Sequence, residues 1–280
     1  MNDINSILFD RKIQSHIEGE IMELIEPDAM ENRFSIKNAF AGNDITNPRA
    51  VGNVIQDIVE TNFNKCIPEG ILKEFNTSLV RRSIADIPFT EMGDIAFIDK
   101  DGKYYVVNIK IHNVDLKFHD AHQNMLCRST DDNWYSGRLR MTIEKLVRLY
   151  ENSNNYFTIL LIAYEIKDEK IIAKKCHFIP IEHLKMESLT ILADNEIQIV
   201  NSNVISINPK QTRKMWMLAL CDNRIEYFNK WIDKKNNGMK SDARNRRSYS
   251  YPQVQETINK IRNSIEYFKK VKNHWECAKK

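Results

Sequence analysis

Three polar residues stand out in the stretch from 92 to 113, MGDIAFIDKDGKYYVVNIKIHN, because Asp94, Asn108 and Lys110 interrupt an otherwise apolar pair of predicted strands. Burying such side chains costs free energy unless they are paired or used. An acid, an oxygen ligand and an amine suit metal-assisted phosphodiester hydrolysis, since Mg²⁺ prefers oxygen ligands and an ammonium can orient water and share the phosphate charge. The stretch indicates either such a site or an ordinary hairpin with a solvated polar face.

The turn between the two strands decides whether these residues share a face. Residues 99–103, DKDGK, have the sequence of a type I turn closed by a glycine, Gly102, in the left-handed bulge position. This three-residue loop makes paired positions sum to 202, which places Asp94 opposite Asn108. Lys110 then projects to the same face by alternation. A two-residue turn would put Asp94 on the other face, so the site depends on the bulge.

A helix is predicted before the hairpin. Asn47-Pro48 opens it, with proline at a first-turn position where its missing N–H does no harm. Apolar residues then follow helical spacing from Val51 to Phe63. Gly52, Gln56 and Glu60 lie along one edge of this apolar stripe.

A strand–helix–strand unit is predicted next. The run YFTILLIAYEI, 156–166, is typical of a strand buried on both faces, and a helix from about 138 to 151 separates it from the hairpin. Such a crossover predicts a central mixed sheet. The other predicted elements are a helix within residues 1–25, a polar loop at 112–136, strands near 170–180 and 196–207, and helices at about 210–235 and 253–275.

Composition favours a single α/β domain spanning residues 1–280. With 280 residues and 42% hydrophobic content, the chain can bury a sizeable core. We expect a core at about 47–207 and a basic helical part at about 208–280.

The sequence contains no run of about 18 apolar residues and no signal-like start, which predicts a soluble, unprocessed protein. Five scattered cysteines without CxxC predict neither a disulfide framework nor a zinc ribbon, and fit the cytoplasm.

Positive charge is concentrated at the C-terminus. Residues 210–280 hold 18 Lys and Arg against 7 Asp and Glu, a balance of +11, whereas the rest of the chain has a balance of −8. This asymmetry suits binding to a polyanion, although a solvated lysine-rich helix face would have the same composition. The polar segment 236–252 carries the residues that could contact phosphates or base edges, which are Lys240, Arg244, Arg246, Arg247 and Tyr249.

Gly93-Asp94, the hairpin and Val107-Asn108-Ile109-Lys110 together resemble the PD-(D/E)XK nuclease superfamily, most of all its type II restriction endonucleases. There an acid begins one strand and acid-x-Lys lies in the next. The resemblance implies a restriction-endonuclease-like mixed β-sheet core flanked by helices, and a Mg²⁺-dependent, site-specific endonuclease acting on double-stranded DNA. It also implies a homodimer, with a companion DNA methyltransferase acting on the same site.

The resemblance also implies roles for individual residues. Asp94 would anchor the metal, residue 108 would be its second ligand, and Lys110 would orient water and stabilise charge. Helices before the hairpin in this superfamily often add a carboxylate four residues after a glycine like Gly52. That position here is Gln56, so we expect the charge from Glu60, one turn on, or from its neighbour Asp57; Glu60 could instead face solvent. Loops after the catalytic strand approach DNA in the resembling enzymes, which adds Gln123, Asn124 and Arg128 as candidate contacts.

Two residues depart from the superfamily pattern. Asn108 stands where an acid is usual, and Met92 precedes Gly93 where proline might be expected before the motif. Asn offers an oxygen without charge, so metal affinity and hydrolysis should both drop. Three explanations follow: a natural variant that recruits another acid, a catalytically inactive domain, or a deliberate Asp-to-Asn change that slows cutting. We favour the last, because that change is isosteric and keeps the fold.

Two other functions are compatible with the same residues. One is a repair or recombination nuclease of the superfamily that recognises DNA structure more than sequence. The other is a catalytically inactive DNA-binding protein with a degenerate site.

Overall fold

The computed structural model describes residues 11–25, 48–67, 72–75, 83–84, 87–88, 93–113, 138–167, 170–192, 195–199, 206–241 and 251–278. The chain divides into two compact units, one spanning Leu8–Asn208 and the other comprising Met1–Ile7 and Pro209–Lys280.

The described part of the larger unit contains three helices, α1 (Arg11–Ile25), α2 (Pro48–Asn62) and α3 (Ile143–Leu149). Its strands are β1 (Leu72–Phe75), β2 (Ser83–Ile84), β3 (Ile87–Pro88), β4 (Ile95–Asp99), β5 (Tyr104–Asn113), β6 (Arg138–Thr142), β7 (Asn155–Lys167), β8 (Lys170–Pro180), β9 (Leu189–Ile191) and β10 (Glu196–Ile199). Short 3₁₀ turns lie at Phe63–Cys66, Ile181–His183 and Met186–Ser188.

A five-stranded sheet in the order β1-β4-β5-β7-β8 forms the centre of this unit. Strand β5 pairs antiparallel with β4 and parallel with β7, from Tyr104 opposite Asn155 to Asn113 opposite Tyr164. Strand β7 in turn pairs antiparallel with β8. The predicted mixed sheet with a helical crossover is therefore confirmed.

Aromatic side chains pack on one face of the sheet. The ring of Phe97 stacks on that of Tyr105 with centroids 4.4 Å apart, and Tyr105 stacks on Tyr156 at 5.2 Å. Phe63, just after α2, closes this layer 5.9 Å from Phe97 and 6.3 Å from Phe178. All five side chains are buried. These contacts fix α2 against the sheet.

Helix α1 packs against β8. Its buried side chains recur every four residues, which places them on one stripe: Ile13, Ile17, Ile21 and Ile25. On the same helix, Glu18 accepts a hydrogen bond from the backbone N–H of Phe178 at 2.7 Å and another from the Gln14 amide at 3.0 Å. Helix α1 is thus joined to β8 by apolar packing and by a charged hydrogen bond.

Residues 138–142 form a strand, so the prediction of one helix from about 138 to 151 is wrong in its first part. Leu139 and Met141 are both buried, which is the alternation of a strand. Thr142 then caps α3 by accepting a hydrogen bond from the Lys145 N–H at 3.3 Å. Strand β6 pairs with β10 in a second sheet of order β6-β10-β9.

The other predicted boundaries shift only at their ends. His112 and Asn113 belong to β5, and residues 114–136 of the predicted polar loop lie outside the described residues. Strand β10 ends at Ile199, within the predicted strand from 196 to 207. The two C-terminal helices are longer than predicted and take up residues 236–241 and 251–252 of the predicted polar segment.

The second unit contains the described helices α4 (Arg213–Ser241) and α5 (Tyr251–Cys277), which run antiparallel. At one end Lys214 donates to the carbonyl oxygens of Glu276 and Ala278, both at 3.0 Å. Farther along, Lys272 contacts Asp222 at 2.6 Å. No described helix is long and apolar enough to cross a membrane.

Asp99 at the β4–β5 turn offers a test of the hairpin. Its carboxylate is buried and accepts from the N–H groups of Asp101 and Lys103, both at 2.9 Å, and from the Tyr105 hydroxyl at 3.0 Å. Asp99→Ala would leave these donors unpaired, so we expect the free energy of unfolding in urea to fall by about 2–4 kcal/mol. The exposed neighbour gives the matched control, since Asp101→Ala should change it by less than about 0.5 kcal/mol. Equal effects of the two variants would contradict this role.

Candidate functional site

The β4–β5 turn has the bulged form that the sequence predicts. Gly102 has φ of 76°, and its N–H donates to the Asp99 carbonyl at 2.9 Å. The Asp99 N–H donates to the Lys103 carbonyl at 3.0 Å. The paired positions run from Ile98 opposite Tyr104 to Ile95 opposite Val107, and each pair sums to 202. The predicted register is confirmed over these four pairs.

Asp94 lies where the hairpin ladder changes. Its N–H donates to the Val107 carbonyl at 2.8 Å, and its carboxylate oxygen Oδ2 accepts from the Ile109 N–H at 2.7 Å. Continued regular pairing would instead bring a backbone carbonyl, that of Gly93, to the Ile109 N–H. The regular pairs end at Ile95, so the predicted pairing of Asp94 with Asn108 is wrong: the N–H of Asp94 bonds to the carbonyl of Val107, which is already the partner of Ile95. The carboxylate is thus fixed beside the peptide that follows Asn108.

Gly93 approaches β5 too closely for a side chain. A Cβ atom there would lie 2.7 Å from Cγ1 of Val106 and 2.8 Å from the Val107 carbonyl oxygen. The carbonyl belongs to a strand paired on both sides, so it cannot move aside cheaply. Glycine before Asp94 is therefore a packing requirement, whatever the site does.

Asn108 is buried in the centre of the sheet, with 2% of its surface exposed. Its amide nitrogen Nδ2 donates to the Leu139 carbonyl of β6 at 3.4 Å. Its oxygen Oδ1 is buried and has no hydrogen-bond partner among the described residues. Buried acceptors are normally satisfied, so an exception in the middle of a sheet needs a physical explanation.

Lys110 follows on the same strand. It is half-buried and lies two residues after Asn108, so the two side chains leave β5 on the same face. Its strand position is paired with Leu161 of β7. The predicted placement of Lys110 beside Asn108 is consistent with the alternation of β5.

Glu60 on α2 is electrostatically coupled to Asp94. Partial burial raises the pKa of Glu60, the negative charges of Asp94 and Asp57 raise it further, and a hydrogen bond from Gln56 opposes the rise. That bond, from the Gln56 amide to Oε1, is 2.7 Å long. Of the candidates for the additional carboxylate, Glu60 is half-buried and Asp57 is exposed. The fold therefore brings Glu60 towards Asp94 and places two carboxylates in one region.

The predicted DNA contacts lie almost entirely outside the described residues: these are Gln123, Asn124, Arg128, Arg244, Arg246, Arg247 and Tyr249. Lys240 belongs to helix α4, but its side chain is not described. The sequence does not predict the contact of Asn108 with β6, because its pattern favours a helix at 138–142. The alternation of Arg138-Leu139-Arg140-Met141 is the one signal that could indicate a strand there.

A cation site here would need the Asn108 oxygen. Within the described part of the chain, no three His, Cys, Asp or Glu side chains converge as a metal-binding group. Asp94 and Glu60 would supply two carboxylates, and Oδ1 of Asn108, which has no hydrogen-bond partner in the described part of the chain, is a neutral oxygen donor of the kind that Mg²⁺ accepts. The donor set is hard and oxygen-only, so it fits Mg²⁺ and not a soft metal.

Comparison with models of known protein families finds no match to this chain, and comparison with curated protein sequences finds none. Conclusions about function therefore depend on the residues and their geometry.

Two glycines give a matched pair of variants. Gly93→Ala should lower the free energy of unfolding by about 1–3 kcal/mol, because the new methyl group would press on the Val107 carbonyl. Gly52→Ala, inside α2 with open space around its Cβ, should raise it by about 0.5–1 kcal/mol through helix propensity. Urea unfolding of both variants measures the difference. A Gly93→Ala variant as stable as the parent would show that the approach to β5 is not required.

The raised pKa of Glu60 predicts a pH effect on stability. The folded protein holds this proton more tightly than the unfolded chain, so stability should fall as pH rises through the window that starts near the ordinary value of 4.5. The Glu60→Gln variant has no carboxyl group to ionise at this position, so it should be more stable than the parent at pH 7 in EDTA. The difference in stability should vanish near pH 4. Thermal unfolding from pH 4 to 8 measures this difference.

Glu23→Gln, at an exposed position of α1, shows the effect of removing a carboxylate away from Asp94. A Glu60→Gln variant that is less stable than the parent at pH 7 would contradict the coupling.

Proposed function

We propose that this chain is a Mg²⁺-dependent endonuclease acting on double-stranded DNA, with a restriction-endonuclease-like core. The observation that carries the proposal is the concentration of oxygen donors at the start of the hairpin. The Asp94 carboxylate accepts from the peptide N–H that follows Asn108, and the buried oxygen of Asn108 has no hydrogen-bond partner among the described residues. Burial and the negative charge of Asp94 both raise the pKa of Glu60. Such an arrangement is costly for a purely structural role.

Asp94, Asn108 and Glu60 are the residues that would hold the ion. Bound Mg²⁺ supplies a more acidic water and stabilisation of the negative charge that develops on the phosphate. The carboxylate of Asp94 is oriented by the Ile109 N–H, so it is held in place before any ligand arrives. The ammonium of Lys110, on the same face as Asn108, would orient the attacking water and share the phosphate charge.

Charge at the C-terminus supports DNA as the substrate. Five of the acidic residues in α4 and α5 lie within 4 Å of a lysine: Glu226 pairs with Lys230, Glu256 with Lys260, Glu266 with Lys269, and both Asp222 and Glu276 with Lys272. Residues 210–280 nevertheless keep a balance of +11. Surplus positive charge of this size favours a polyanion, because binding it releases counterions.

A homodimer would fit a palindromic site, since two-fold symmetry lets one surface read both half-sites and cut both strands. In that case the host would also need a DNA methyltransferase that modifies the same sequence. The neutral Asn108 favours a second candidate, a DNA-binding protein that does not cut.

A plasmid assay with Mg²⁺ or EDTA tests the function. The full chain should give discrete fragments with Mg²⁺ and none with EDTA. Asp94→Ala should slow cutting by at least about 100-fold, and Lys110→Met by a similar factor, because each removes charge stabilisation in the transition state. Asp101→Ala, at the exposed end of the hairpin, is the matched control and should cut as the parent does.

Other outcomes distinguish the alternatives. Tight binding of DNA that stays intact in every lane would favour the non-enzymatic DNA-binding protein. Cutting of branched DNA in preference to a defined site would favour a repair nuclease. In a parallel binding assay, Arg246→Ala with Arg247→Ala should weaken DNA binding. The slope of its salt dependence should fall by about one unit for each phosphate that these arginines neutralise in the parent.

A further inference from the structure

The two ends of the Asn108 amide have different surroundings. The nitrogen is directed to the Leu139 carbonyl on β6, at 3.4 Å. The oxygen is buried without a hydrogen-bond partner among the described residues. An amide can donate through one end and accept through the other, and here only the donating end is used.

A carboxylate would fit the β6 side of this position less well. Aspartate has nearly the same shape as asparagine, but in its ionised form, which is the form that binds a cation, both of its terminal atoms are acceptors. At residue 108 one of them would face the Leu139 carbonyl oxygen at about the present distance of 3.4 Å, with no proton between them. Two oxygens that share no proton repel each other, whereas the amide N–H attracts the carbonyl. The backbone of β6 therefore selects an amide.

The unpartnered oxygen lies near groups that favour a cation. Asp94 is held by the N–H of the peptide that directly follows Asn108, and Glu60 is coupled to Asp94. A positive ion in this region would satisfy the Asn108 oxygen and relieve the repulsion between the two carboxylates. An uncharged hydrogen-bond donor would satisfy the Asn108 oxygen but would not relieve the repulsion between the carboxylates.

We infer that residue 108 acts as an amide in this protein: β6 holds its NH₂ group, and its carbonyl oxygen is a neutral ligand for the cation. Asn108 is then a native part of the site and does not replace an acid. This inference rests on the proposed function and deepens it. It predicts a site with two charged ligands, Asp94 and Glu60, and therefore weaker cation binding than a site with three.

The Asn108→Asp variant separates this inference from the explanation in which an acid was replaced. We expect its melting temperature in EDTA to be about 3–6 °C below that of the parent, and its cutting rate with Mg²⁺ to be no higher. A variant as stable as the parent that cuts ten times faster or more would overturn the inference while supporting the proposed function.

Asn155 provides a matched control. Its amide also donates to a backbone carbonyl, that of Leu149 at 3.0 Å, and the residue is buried. Asn155→Asp should lower the melting temperature in EDTA in a similar way, but the rise in melting temperature on adding Mg²⁺ should equal that of the parent, whereas in Asn108→Asp this rise should differ from that of the parent. An equal change of the rise in both variants would overturn the assignment of the cation ligand to residue 108.

A measurement on the unmutated chain does not depend on how the variants fold. With uniformly ¹⁵N-labelled protein, the side-chain NH₂ signal of Asn108 should exchange slowly with solvent and should shift on adding Mg²⁺, while that of Asn155 should not shift. Shifts of the backbone N–H signals of Asp94 and Glu60 without any effect on the Asn108 side chain would overturn the inference and leave the cation site standing. No shift in any of these signals would overturn both.

Discussion

The hydrogen bond from the Ile109 N–H to the Asp94 carboxylate is the contact on which the rest of the site depends. It lies where β4 enters the sheet, and it replaces a backbone acceptor with a charged side-chain acceptor. The substitution needs two supports. Gly93 must pass close to β5 without a side chain, and the bulged turn must keep the ladder in register from the other end. If either fails, the Asp94 carboxylate no longer reaches the peptide after Asn108.

The central sheet and the elements around it position the other polar groups of the candidate site. Parallel pairing with β7 buries β5 in the centre, so any polar side chain there must be satisfied by something other than water. Helix α2 is fixed by the ring of Phe63 at its end, which sets where Glu60 lies relative to the sheet. Strand β6 supplies the carbonyl that binds the Asn108 amide. Each contact joins residues far apart in sequence, so the site forms only with the complete fold.

Local rules are sufficient to predict the hairpin, and long-range contacts are not predictable from them. The register follows from the turn sequence DKDGK, because loop length and one glycine determine it. The mixed sheet follows from the apolar run of β7. Strand β6 is not predicted because it has only five residues and runs directly into α3, so its sequence resembles the first turn of that helix. Glu60 can be named only as one of several candidates, since its coupling to Asp94 depends on how α2 packs. The contact between Asn108 and Leu139 spans 31 residues and follows from no local pattern.

The Glu18 carboxylate limits the pairing of another strand with the open edge of β8. Strand β8 ends the five-stranded sheet on one side in the described part of the chain, and an open strand edge is a template on which another molecule can add its own strand. The Glu18 carboxylate occupies the N–H of Phe178 on this edge, and helix α1 lies against the same strand. An incoming strand would have to displace a charged acceptor and detach a packed helix. The helix that completes the core therefore also protects the sheet against edge-to-edge aggregation.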